Sequence, residues 1–94
     1  MAPRPEQTRG TTHGDYTKMA TVAQRIKDAM RDGARWGGLA CHQAESLELV
    51  ATKIARIVEG DPACRDHWDD LRGYAQLVLD RLPQEPQFKS TVKF

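Results

Sequence analysis

What the chain lacks narrows it first. No apolar run approaches the roughly 20 residues that a membrane span needs, and the N-terminus carries no apolar signal-peptide core, which points to a cytoplasmic protein without a membrane role. Charge of neither sign prevails: 14 Lys and Arg stand against 13 Asp and Glu, a formal net charge of +1. That balance argues against a basic nucleic-acid binder and equally against a polyanion imitating DNA. Two cysteines in a cytoplasmic chain read as thiols rather than a disulfide. Aromatic residues make up only 6%, no strand candidate survives, and no internal repeat is visible. Ninety-four residues amount to one domain. A core of that size is small enough for self-association to help, so a homo-oligomer is expected.

What remains is helical patterning. Residues 1–14 hold two prolines, two glycines and no apolar periodicity, and read as an irregular arm. Asp15 is placed to cap a helix from about Tyr16 to Asp32, with Met19, Val22, Ala23, Ile26 and Met30 at helical spacing and Gly33 just past the end. A glycine-rich loop, whose Trp36 reads as a plug for the end of a bundle, leads to a second helix from about His42 to Glu59. There Leu47, Val50, Ala51, Ile54, Ile57 and Val58 form one apolar stripe. Asp61-Pro62 combines a capping acid with proline at a first helical position and starts a third helix, from about Pro62 to Leu82, that Pro83 and Pro86 stop. Residues 83–94 form a polar tail. The expected fold is all-α, a small bundle of three helices (16–32, 42–59, 62–82) in a domain spanning 15–82.

The third helix holds the most unusual stretch, Asp66 to Ala75. Trp68, Leu71, Ala75, Val78 and Leu82 share one side, which makes Trp68 the expected core anchor. Asp66 and Asp70 share the other side. Gly73 on that side weakens the helix by about 1 kcal/mol relative to Ala and invites the close approach of another backbone or a ligand.

Glu45 and Glu48 stand three apart on the second helix. Packed antiparallel against Asp66 and Asp70, they would gather four carboxylates, which repel one another unless a hard cation sits among them; Mg²⁺ with phosphate oxygens is the natural guest. Otherwise the glutamates are a solvated face, and Asp66 serves the positive N-terminal end of its helix. Lys53 and Arg56 either bind phosphate, Arg as a fork and Lys as a point charge, or neutralise Asp66, Asp69 or Asp70. Cys41-His42 and Cys64-x-x-His67 lack the spacing of a tetrahedral zinc site, and Cys64 falls on the apolar side as a small hydrophobe. No nucleophile–base pair and no phosphate-cradling glycine loop stands out, so no catalytic residue is assigned.

Lys53-Ile-Ala-Arg56-Ile, then Gly60-Asp61, then Asp66-x-Trp68-x-Asp70-Leu-x-Gly-Tyr74-Ala75 resembles a set of small phage and prophage helical proteins of unassigned function. Arg9, Gly10 and His13-Gly14-Asp15-Tyr16 resemble the amino-terminal signature of the same set, and the similarity spans about residues 9 to 82. The resemblance implies a small binding protein without catalysis or cofactor, in the cytoplasm of a bacterial host. It would contact a host protein, as a counter-defence inhibitor does, or capture a nucleotide, with Lys53, Arg56, Tyr74, His13 and Asp15 as contact residues. More distantly, the K-x-x-R helix followed by D-x-x-x-D-x-x-x-Y resembles the all-α nucleotide pyrophosphohydrolases of the MazG type. That resemblance implies a Mg²⁺-dependent enzyme acting on a nucleoside triphosphate, with Glu45, Glu48, Asp66 and Asp70 as metal ligands. Glu45 and Glu48 match the family's E-x-x-E element. Asp66 and Asp70 depart from its E-x-x-D element, being four apart, and Ala44 stands where the family often doubles the first glutamate. The departures favour the binding protein.

Overall fold

A computed structural model describes residues 15–83; the expected arm with His13, and the tail from residue 84, lie outside them. Among the described residues the architecture is all-α, a small three-helix bundle: α1 (Tyr16–Arg31), a 3-10 turn (Trp36–Gly38), α2 (Cys41–Glu59) and α3 (Arg65–Leu79). No described helix is long and apolar enough to cross a membrane.

Each helix begins by local chemistry. At α1 the Asp15 carboxylate accepts from the Lys18 backbone N–H at 3.0 Å, which satisfies one orphan donor of the first turn. At α2 the Gln43 side chain turns back, and its Oε1 accepts from the Ala40 N–H at 2.8 Å, as the third helical residue does in a capping box. At α3 the expected start moves by three residues. Asp61 does not cap the helix: its carboxylate accepts from the Ala63 N–H at 2.9 Å and its carbonyl from the Cys64 N–H at 3.1 Å. Asp followed by Pro suits a turn as well as a helix start. Here the turn prevails, and the helix opens at Arg65 with half-buried Cys64 as N-cap. At its far end α3 stops at Leu79, three residues before the expected Leu82. The residue before a proline is pushed out of the helical region, so Pro83 disfavours continuation through Leu82.

Helix α2 is the middle element. Antiparallel α1 packs on it with Met19 and Ala23 against Ala55, and Val22 beside them. Antiparallel α3 packs on its other side, and α1 and α3 share no comparable contact with each other. At 100° per residue, the line of α2 that meets α1 (Glu48, Ala51, Ala55) lies roughly 160° from the line that meets α3 (Ser46, Val50, Lys53, Ile57). The three helices therefore form an open layer.

The openness changes which residues are buried. The buried apolar residues are Met19, Ala23, Ala51, Ala55 and Ile57. Alanines let the backbones of α1 and α2 approach closely, but each hides little area. Burying a side chain the size of Ile57 contributes on the order of 2 kcal/mol. Of the expected α2 stripe, only Ala51 and Ile57 are buried, whereas Leu47, Ile54 and Val58 are exposed. Trp68 is not the core anchor: it is 54% exposed, and the fully buried side chain of α3 is its neighbour His67. Trp36 is half-buried in a 3-10 turn that packs on α1.

Candidate functional site

The register of α2 against α3 decides what the polar residues can do. The chain reverses around Pro62, so residues equidistant from it come abreast. Lys53 and Asp70, nine and eight residues from Pro62, meet with Nζ to Oδ2 at 2.8 Å. The hydrogen bond from Lys53 holds the Asp70 carboxyl below its usual value. Partial burial opposes this, and the charges of Lys53 and His67 add to it. Of the two cations expected as partners for Asp70, Lys53 takes the place. Arg56 is half-buried and makes no ion pair among the described residues.

The same register separates the four expected metal ligands. Glu45 and Glu48 stand seventeen and fourteen residues from Pro62, but Asp66 only four. At 1.5 Å per residue the mismatch along the helix axis is about 15–20 Å. Glu48 also lies on the α1 side, where its Oε1 accepts from Arg31 Nη2 at 3.2 Å. Glu45 is exposed, and Asp66 is exposed in the first turn of α3. Among the described residues no group of three or more His, Cys, Asp or Glu side chains is placed to hold a metal ion. The expected convergence of Glu45, Glu48, Asp66 and Asp70 is therefore not formed.

Tyr74 is half-buried and lines a groove between α2 and α3 with Val50, Ala75 and Val78. Asp15 is occupied as the cap of α1. Gly73 has no atom of the chain within 4 Å of where a Cβ would stand, so no internal packing requires glycine there.

A further constellation, absent from the expected site residues, lies on the exposed side of α3. Arg65, Trp68 and Arg72 recur at intervals of three and four and so share one exposed helix face. The Trp68 indole N–H donates to the Pro62 carbonyl at 2.8 Å, which fixes the ring and leaves its surface to solvent. Arg72 Nη2 donates to Asp69 Oδ1 at 3.0 Å. Together with Ala63 these residues line an open cleft of about 370 Å³. Trp and Arg are the residue types most often found at the energetic centre of protein contacts. An aromatic ring flanked by guanidinium groups also suits a planar base carrying phosphate. The signal in the sequence was the Arg65-x-x-Trp68-x-x-x-Arg72 spacing, hidden because Trp68 also sits at the border of the apolar side. Compared with protein families, with curated proteins and with solved structures, the chain matches none.

Proposed function

We propose that the chain is a small phage-type binding protein without catalysis, active in the cytoplasm of a bacterial host, which contacts a host protein or captures a nucleotide through the Trp68 cleft. The observation that carries this reading is the exposed Trp68, locked by its 2.8 Å hydrogen bond to Pro62 and flanked by Arg65 and Arg72. A ring held in place loses little freedom on binding, and an exposed tryptophan has much apolar surface to bury. Further support is that Lys53, the first phosphate candidate, is engaged by Asp70. The carboxylates of a Mg²⁺-dependent pyrophosphohydrolase would have to meet in one place, and the α2–α3 register keeps them apart.

The test is calorimetric titration of the chain with a panel of nucleoside mono-, di- and triphosphates, with and without Mg²⁺, beside affinity capture from a bacterial lysate. Wild type is compared with Trp68→Ala and with Arg65→Gln/Arg72→Gln. Binding without turnover that both variants weaken is the expected result. Binding untouched by either variant, or turnover that needs Mg²⁺, would sink the reading.

A further inference from the structure

We infer that the groove between α2 and α3 is a binding site for an uncharged, largely apolar small molecule that carries one hydrogen-bonding group. The site goes beyond the Trp68 cleft, with which it shares no lining residue. The reversal at Pro62 brings Ser46 of α2 abreast of Val78 of α3, each sixteen residues away. Ser46 and Ala75 are small, which leaves room there for a groove of about 370 Å³. Leu39, Leu47, Val50 and Val78 complete its apolar lining, and Gln43 and Tyr74 add polar groups. The volume falls in the range of small-molecule sites, about 300–1000 Å³, which are mostly apolar with a few placed polar groups.

Ser46 is the residue that points to a ligand. It is only 6% exposed, it lines the groove, and its hydroxyl makes no hydrogen bond to a described residue. The Tyr74 hydroxyl, on the α3 side, makes none either. Buried polar groups in folded proteins nearly always have a partner, and one without a partner in the chain is satisfied from outside it. The lining sets the chemical class. No charged side chain lines the groove, so an ionic group would lose water there without gaining a counter-charge. Leu, Val and Ala side chains suit a ring or a short alkyl chain. One N–H, hydroxyl or carbonyl placed at Ser46 completes its hydrogen bonding. The walls are two packed helices, so the site is formed before the ligand arrives.

The experiment is fluorescence titration of the full chain with N-phenyl-1-naphthylamine, two aromatic groups joined through one N–H and carrying no charge. Its sulfonated analogue, 8-anilino-1-naphthalenesulfonate, is titrated beside it. Wild type is expected to bind the uncharged dye at one saturable site with blue-shifted emission, and the sulfonate several-fold more weakly. Ser46→Ala is expected to weaken the uncharged dye about 3–10-fold, the worth of one neutral hydrogen bond. It is expected to melt no lower than wild type, because an unpaired buried hydroxyl is removed. Ala75→Phe, at an exposed position of α3, fills the groove and is expected to abolish binding with melting little changed. A wild type that binds neither dye overturns the site and leaves solvent as the partner of Ser46. A wild type that sediments as a dimer and binds neither dye overturns it in favour of a second copy on this face. Binding that neither substitution weakens overturns the location, and equal binding of the sulfonate overturns the chemical class.

Discussion

Lys53 reaches from the middle of α2 to Asp70 in the middle of α3, with Nζ to Oδ2 at 2.8 Å. The pair marks the register that the reversal at Pro62 sets between the two helices, and that register decides which other side chains can meet. The pair also occupies the lysine that a phosphate would need and the aspartate that a metal would need.

The pair has a pH signature. Folding holds the Asp70 carboxyl below its ordinary value of 3.8, chiefly through the hydrogen bond from Lys53. A depressed carboxyl contributes stability that is full above its unfolded value, about 4, and is lost as pH falls through the lower folded value. Asp70→Asn is therefore expected to melt below wild type at pH 7, where Lys53, 12% exposed, is left without its partner. The gap is expected to narrow below pH of about 4, where wild type loses the same contribution. Thermal melts of both proteins from acid to neutral pH check this, and two parallel curves would count against the pair.

Trp68→Ala is expected to cost about 1–2 kcal/mol, short of the 3–5 kcal/mol typical of a buried tryptophan, because the ring is 54% exposed. In a Trp36→Phe background, the remaining fluorescence is expected to be quenched readily by acrylamide. A blue-shifted, unquenchable emission would place the ring in a core and remove the cleft.

Gly73→Ala is expected to stabilise the chain by about 0.5–1 kcal/mol, the helix-propensity difference, since a Cβ there meets nothing within 4 Å. Urea denaturation measures it. A destabilised Gly73→Ala would mean that another molecule approaches α3 at that point.

Ala55→Leu is expected to cost about 1–3 kcal/mol by overpacking. Ala55 is fully buried where α1 and α2 come together, against Met19 and Ala23. A neutral Ala55→Leu would show that α1 stands off from α2 by more than the described packing.

Much of the fold was legible in the sequence, for identifiable reasons. α1 was read from the 3.6-residue spacing of Met19, Val22, Ala23 and Ile26 and from Asp15, which caps as expected. The start of α3 differs from the expected Pro62 because Asp61-Pro62 satisfies two local rules, and the choice between them depends on the path of the chain after Gly60. Trp68 is exposed where a core anchor is expected because a border position on an amphipathic helix is buried only if a further helix covers it. In an open layer none does. The separation of the carboxylates was legible in principle: a reversal at Pro62 puts Lys53 abreast of Asp70 and leaves Glu45 far from Asp66. Which of Lys53 and Arg56 would reach Asp70 required that register.

Pyrophosphate release from a panel of nucleoside triphosphates by the wild-type chain in Mg²⁺ separates a binding protein from a hydrolase. A contact surface at Trp68, in place of a metal site built from Glu45, Glu48, Asp66 and Asp70, leaves the chain without hydrolytic activity. No release above the uncatalysed background is expected, and the same background for Glu48→Gln and Asp70→Asn. Mg²⁺-dependent release that either substitution abolishes would contradict that expectation.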